Sequence, residues 1–283
     1  MIPVVVGSNP IGHPRLPPRA PRRWRAPALR GATPQAAFYA VVQAALAQIE
    51  ANARGVLLST DPEFLHQLRV GLRRLRSALR AFRGLLPAKP AKHLARSLRK
   101  VSPKLGAARD WDVLVQRLDA DATARDRKQR DAARRIARRA IASKAFARIA
   151  DEARFVIASE GTKTLAQFGV AALDRAHRKL MKQARGIDRR DAAGRHAMRI
   201  RVKRLRYSCE FFAPAFATKR AAAYLAALKA LQDILGELND LSVGRELLRD
   251  PQWGRAREAA LLMKLEPAWV ALEKRPVFWR APG

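Results

Sequence analysis

The sequence predicts an all-α protein, and three observations lead to that prediction. Ala and Leu dominate a composition that is 48% hydrophobic and 29% charged, and the apolar residues recur with helical spacing. Eight of the 17 prolines fall within residues 1–35, which leaves the rest of the chain free for long helices. One helical segment also occurs twice, so we expect two similar helical halves.

The repeated segment runs from His66 to Phe82 and again, without a gap, from His196 to Phe212, 130 residues later. The same offset relates further residues: Phe38 and Phe168, Asp61 and Asp191, Leu98 and Leu228, Gly106 and Gly236, and Asp110 and Asp240. Repeats of this length exceed the period of about 20–50 residues that is typical of solenoids. The pattern therefore predicts an internal duplication: two four-helix bundles related by a pseudo-twofold axis.

The first half begins with a segment that differs from the rest of the chain. Residues 1–33 contain six Arg, one His, many prolines and no acid, which predicts a disordered basic tail. Thr33-Pro34 and Asp61-Pro62 each provide an N-cap residue followed by a proline at the first helical position. We predict four helices over residues 34–57, 61–84, 92–118 with an interruption at Ser102-Pro103, and 121–159.

The second half repeats this plan at lower proline content. Its predicted helices cover residues 164–185, 191–212, 219–248 and 255–274. The predicted organisation is thus a tail over 1–33, a first four-helix half over 34–160, a second half over 161–275 and a C-terminal tail over 276–283.

Charge and cysteine content limit the possible functions. The net charge of +33 and the isoelectric point near 11.7 indicate a polyanionic partner, such as nucleic acid, an anionic membrane surface or inorganic polyphosphate. Cys209 is the single cysteine, so we predict neither an intrachain disulfide nor a cysteine metal site. Because no apolar run approaches the roughly 18 residues of a membrane-spanning helix, we expect no membrane insertion and a cytoplasmic location.

The repeated helix carries its cations on one face. On a helical wheel the basic residues of the first copy fall within an arc of roughly 80°, beside an apolar arc of roughly 100°. They are His66, Arg69, Arg73, Arg76 and Arg80. The second copy places His196, Arg199, Lys203 and Arg206 in the same arc, but Glu210 replaces the fifth cation, and we predict that it pairs with Arg206 and ends the basic stripe. If the two stripes face each other, they line a shared groove suited to a linear chain of phosphates.

These motifs carry a resemblance to a known family. The pattern His-x-x-Arg-x-x-x-Arg/Lys-Arg-Leu-Arg, followed by Leu-Gly-x-x-Arg/Asn-Asp at 105–110 and 235–240, resembles the CHAD family, the conserved histidine α-helical domain, over about residues 34–275. The resemblance implies a basic central groove or pore that binds inorganic polyphosphate, association with cytoplasmic polyphosphate granules, and no catalysis by the domain. The residues predicted to bind polyphosphate are His66, Arg69, Arg73, Arg74, Arg76, Arg80, His196, Arg199, Lys203, Arg204 and Arg206. Arg109, Asp110 and Asp240 are predicted to orient these cations.

Three other functions remain open at this point. A nonspecific nucleic-acid-binding protein fits the charge, although only 6% of the residues are aromatic and none lies within the basic stripes. A metal-dependent polyphosphate or triphosphate hydrolase has little support, because the chain has no Glu-x-Glu-x-Lys, phosphate-loop or His-Glu-x-x-His motif and its closest acid pair is Asp110 with Asp112. A basic protein-interaction scaffold is the third. We predict no cofactor and no bound metal.

Overall fold

The architecture is helical throughout the part of the chain that the structure describes. A computed structural model describes residues 20–186, 188, 191–216 and 219–280, and these ranges contain α-helices, two short 3-10 turns and no strand. The helices are α1 (Pro34–Leu58), α2 (Pro62–Ala81), α3 (Ala88–Leu118), α4 (Ala124–Ile141), α5 (Lys144–Arg154), α6 (Leu165–Arg185), α7 (Ala192–Phe212), α8 (Lys219–Leu248) and α9 (Arg255–Glu273). The predicted all-α class is confirmed.

Several helix starts follow from their capping residues, as predicted. The Thr33 hydroxyl accepts a hydrogen bond from the Ala36 amide at 3.2 Å, and an Asp61 carboxylate oxygen accepts one from the Glu63 amide at 2.8 Å. Asp191 accepts from the Gly194 amide at 2.7 Å. Each bond satisfies one backbone donor that the first turn of a helix leaves free.

The predicted interruption of the third helix is wrong. α3 is continuous from Ala88 to Leu118 although Pro103 lies inside it. Proline has no amide hydrogen and normally disrupts an interior turn. The carbonyl that loses its usual donor is that of Arg99, and the helix continues past it. One residue earlier, the Leu98 carbonyl accepts hydrogen bonds from the Ser102 hydroxyl at 2.6 Å and from Arg76 at 3.0 Å, and the second bond ties this part of α3 to α2.

The predicted fourth helix over 121–159 is two helices, so the first half contains five rather than four. α4 ends at Ile141, and Ser143 caps α5 by accepting a hydrogen bond from the Phe146 amide at 3.3 Å. Serine competes with the helix for backbone groups and so favours a new start over continuation. Residues 156–159 that follow α5 are not helical.

Arginines of α4 stabilise the end of α1. Arg138 donates to the carbonyls of Val56 at 3.0 Å and Ser59 at 3.0 Å, and Arg134 donates to the Thr60 carbonyl at 2.8 Å. Cations at a helix C-terminus satisfy free carbonyls and oppose the helix dipole. Part of the strongly basic character of α4 is therefore structural.

The predicted disorder of the N-terminal tail is wrong for residues 20–33, which is the part of that tail that the structure describes. Leu29 is buried, and the buried Asn52 side chain binds both the amide and the carbonyl of Arg22, at 3.1 and 2.8 Å. Near the other end, the buried Trp279 donates its indole N–H to Asp174 of α6 at 2.8 Å. Residues 20–33 and 275–280 are thus packed on the helices, while 1–19 and 281–283 lie outside the described residues.

Replacing Asn52 by alanine (N52A) is expected to release the segment around Arg22. The change removes both bonds to Arg22 and one to the Gln48 carbonyl, and losses of this kind cost about 1–3 kcal/mol. Limited trypsin digestion followed by mass spectrometry should show faster cleavage after Arg22 than in the native protein. Replacing Gln35, which donates to the distant Ala158 carbonyl, is the control, and equal cleavage rates in N52A and Q35A would contradict the assignment.

The halves share one hydrophobic core. Within the first half α1 packs on α2 and α3 on α4, and within the second α6 packs on α7 and α8 on α9. Between the halves α1 meets α6, α2 meets α7 and α3 meets α8. At the centre the Phe82 ring lies 5.0 Å from that of Phe212, 5.6 Å from that of Phe38 and 5.9 Å from that of Phe168. This central packing of phenylalanines fixes α2 beside α7.

None of the helices in the described ranges has the length and hydropathy that a bilayer span requires.

Candidate functional site

The two copies of the repeated helix lie side by side in the same direction. The positive charge of Arg199 is close enough to Arg69 to lower the pKa of Arg69. Farther along the helices, the ring centres of Phe82 and Phe212 are 5.0 Å apart. Residues that are equivalent in the sequence are therefore neighbours at both points. This arrangement brings together the basic residues in the N-terminal parts of α2 and α7, while the phenylalanines pack at the C-terminal ends of the two helices.

Four cations form what we call the inner cluster: Arg69 and Arg73 of α2 with Arg199 and Lys203 of α7. Burial, followed by the positive charges of Arg73 and Arg199, lowers the pKa of Lys203 to about 6. Burial also lowers the pKa of Arg69 to about 10 and that of Arg199. Lys203 is therefore largely neutral at pH 7.5 in the free protein, whereas Arg69 remains charged.

Two carboxylates oppose this positive charge. The Asp110 carboxylate lies 3.6 Å from the Arg69 guanidinium, which also donates to the Gly106 carbonyl at 3.1 Å. Burial raises the pKa of Asp110, and the negative charge of Asp240 raises it further, so the two carboxylates are close to each other. Asp110 therefore lies beside Arg69, and its role in orienting the cations stays a prediction.

The two histidines lie at the N-terminal end of the inner cluster. The exposed His196 ring forms a hydrogen bond between Nδ1 and the Asn239 side-chain oxygen at 3.0 Å. Burial and the positive charge of Arg109 lower the pKa of His66. Arg109 of α3 and Asn239 of α8 occupy equivalent sequence positions. His66 is thus near Arg109, and His196 is near the equivalent Asn239. At neutral pH the His66 imidazole is thus predominantly uncharged in the free protein.

Arg74 and Arg206 were predicted to bind the ligand, but both are held by Glu210. Arg74 is 9% exposed at its side chain and contacts Glu210 at 2.8 Å, with its guanidinium 4.6 Å from the centre of the Trp24 ring. Arg206 contacts the other Glu210 oxygen at 3.0 Å, which confirms the predicted pairing. Arg74 lies about 140° around the helix from Arg69, so the wheel already separates it from the stripe. The cover by Trp24 was missed because its segment was predicted to be disordered.

Arg76, Arg80 and Arg204 form a second group of cations, which we call the lateral triad. Arg76 donates to the Ser102 hydroxyl at 2.6 Å, and Arg80 is exposed. Partial desolvation near the base of this exposed side chain, followed by the charges of Arg204, Arg76 and two further arginines, lowers the pKa of Arg80. The two further arginines are Arg99 of α3 and Arg201 of α7. Sequence reasoning missed both, because neither lies on a predicted stripe.

The acid pair considered for metal chemistry is separated in the structure. Asp112 is buried and contacts Arg134 of α4 at 2.6 Å, whereas Asp110 faces Arg69. Among the described residues, no group of three or more His, Cys, Asp or Glu side chains is arranged to hold a metal ion.

Comparisons with known proteins identify the family. The model of the CHAD domain matches residues 40–249. The crystal structure of the CHAD domain from the plant Ricinus communis is 35% identical in sequence and has a TM-score of 0.71, with 93% of this chain and 94% of that chain covered. PptA from Streptomyces chartreusis, at 18% identity, shares the fold with a TM-score of 0.56 over 84% of this chain and 97% of its own. A comparison with curated proteins gives no significant match. The chain belongs to the CHAD domain family.

Proposed function

We propose that this protein binds inorganic polyphosphate without catalysis, and that the inner cluster is the binding site. The observation that carries the proposal is the convergence of three arginines and Lys203 from two helices on one place, where Asp110 and Asp240 are the carboxylates that act on them among the described residues. Like charges held together away from water are unfavourable unless an anion accompanies them. The family is associated with polyphosphate binding, which favours this anion over others.

Matched contacts in the two halves support the proposed duplication and pseudo-twofold axis. Arg76 donates to Ser102 at 2.6 Å, and its equivalent Arg206 donates to Gln232, the equivalent of Ser102, at 2.9 Å. The helices that meet between the halves are also equivalent ones: α1 with α6, α2 with α7 and α3 with α8. A twofold axis produces such self-paired contacts. The inner cluster would then lie on that axis, as a shared basic groove.

The chemistry of the inner cluster favours condensed phosphate. Arginine offers planar pairs of donors that suit phosphate oxygens, and successive turns of α2 and α7 present them in rows. The histidines at one end of the rows add donors for a neighbouring phosphate. A linear polyanion can contact several of these groups at once, whereas a single small ion cannot.

The nucleic-acid alternative has less support in the site. Sequence-independent binding of single strands uses aromatic side chains on which bases stack. Tyr207 lies near the basic residues, but it is 2% exposed and its ring is occupied by Arg74 and Arg206. Backbone contacts to nucleic acid remain an outcome that the following experiment can detect.

A competition experiment tests the proposal directly. Labelled polyphosphate is bound to the protein and displaced with unlabelled polyphosphate, single-stranded DNA or duplex DNA at equal phosphate concentration and at two salt concentrations. We expect polyphosphate to compete best, with a salt slope of about −4 if about six phosphates are neutralised, by analogy with single strands. Replacing the inner cluster by alanine (R69A/R73A/R199A/K203A) should abolish most of the binding.

The matched control removes four exposed cations of α4, which changes the formal charge equally. Its substitutions are R125A, K128A, R135A and R139A. This variant should keep most of the affinity. Equal loss in both variants, or equal competition by DNA, would refute the inner-cluster proposal. Metal-dependent release of orthophosphate during the assay would support the hydrolase alternative instead.

The proposed ligand also determines the proposed location. We propose that the protein resides in the cytoplasm on polyphosphate granules, where the local concentration of the ligand is highest.

A further inference from the structure

The two sides of the α2–α7 pair differ at one pair of equivalent positions. On the side next to α8, Glu210 lies between Arg74 at 2.8 Å and Arg206 at 3.0 Å. The position equivalent to Glu210 in the first half is Arg80. One side therefore has an anion between two cations, and the other side has a cation in that position.

The cations around Arg80 are the counterparts of those around Glu210. Arg204 is equivalent to Arg74, and Arg76 is equivalent to Arg206. Arg76 lies one turn before Arg80 on α2, and the charges of Arg204 and Arg76 both act on Arg80, so the three arginines are neighbours. Hence the lateral triad has the two arginines equivalent to Arg74 and Arg206, but an arginine in place of the Glu210 carboxylate between them.

The lateral triad has no internal counter-charge. Within the part of the chain that the structure describes, none of its three arginines forms an ion pair, and the same holds for the neighbouring Arg99 and Arg201. Guanidinium groups held close together without a counter-charge repel one another, so an anion from outside the chain would stabilise this arrangement.

We propose that the lateral triad is a second anion site, which binds a phosphoryl group of a short oligophosphate where Glu210 places its carboxylate on the opposite side. A phosphoryl group has enough negative charge and enough acceptor oxygens to bind three guanidinium groups. On the opposite side, the single carboxylate of Glu210 binds two guanidinium groups. Arg99 and Arg201 extend the site and can receive the next phosphoryl group. The inference does not rest on the inner cluster, since the two sites share no residue.

Tripolyphosphate binding in a variant without the inner-cluster centre (R73A/K203A) tests the proposal. Isothermal titration calorimetry should show residual binding at one site. Adding R80E should weaken that binding at least tenfold, because a carboxylate then occupies the position of the phosphoryl group. Adding R135E, the same charge change at an exposed arginine of α4, should change the affinity less than threefold. No residual binding, or equal effects of R80E and R135E, would overturn the proposal.

A second measurement uses the protein without any ligand. The R80E substitution should recreate a carboxylate between Arg76 and Arg204, so its melting temperature should exceed those of the native protein and R135E. A lower melting temperature for R80E would show that the two sides are not equivalent and would overturn the inference. Both results are independent of whether the native protein binds long polyphosphate, so the two proposals can fail separately.

Discussion

Replacing Glu210 by glutamine (E210Q) is expected to lower the free energy of unfolding by about 1–3 kcal/mol, because the partly buried Arg74 and Arg206 then lose their counter-charge. Arg74 is 9% exposed at its side chain and would keep its charge without a counter-ion. Urea denaturation measures the effect as a lower midpoint at unchanged slope. The loss should be partly recovered in R74M/E210Q, because the unpaired charge is then absent.

A matched control is available on α8. Asp233 contacts Lys229 at 2.6 Å, but the two side chains are 54% and 65% exposed. The D233N substitution should therefore change the free energy of unfolding by less than about 1 kcal/mol. If D233N and E210Q destabilise the protein equally, the buried bridge is not the structural element that we describe.

The affinity for polyphosphate is expected to fall as the pH rises above about 6, by up to tenfold per pH unit. The pKa of Lys203 is about 6 in the free protein, and a bound polyanion raises it because the charged form is then favoured. Binding at pH 7.5 should thus take up close to one proton. Calorimetry in two buffers of different ionisation enthalpy measures that uptake.

The K203R variant provides the control, since an arginine keeps its charge over this pH range. Its affinity should depend much less on pH than that of the native protein. A native protein that takes up no proton at pH 7.5 would contradict the role of Lys203.

Without ligand, Lys203 affects folding stability, and that stability increases with pH whereas the affinity for polyphosphate decreases. The unfolded chain binds more protons at Lys203 between about pH 6 and 10, so this group makes folding stability increase with pH across that interval.

Helix capping and apolar spacing were enough to predict most of the elements. α8 has the predicted bounds, and Thr33, Asp61 and Asp191 cap the helices that they were predicted to start. The breaks were harder to predict, because one proline or serine does not decide by itself whether a helix ends. Pro103 lies inside the continuous α3, whereas Ser143 separates α4 from α5.

The candidate site was predictable where the duplication fixed it. The wheel predicted that Arg69 and Arg73 share a face, and the repeat predicted their counterparts on α7. The wheel could not show which cations already have partners within the chain. Arg74 is covered by Trp24, a residue from a segment whose composition resembles a disordered tail, and Arg201 enters the lateral group only through the packing of α7 on α2.

The phenylalanines between the halves limit how this protein can be divided. Phe82 of the first half, which also packs on Phe38, touches Phe212 and Phe168 of the second half within one continuous core. A chain cut near residue 160 would expose this aromatic surface on both products, and exposed apolar patches of that kind promote association. The repeated unit is consequently a unit of sequence and not of independent folding, and neither half would provide all four residues of the inner cluster by itself.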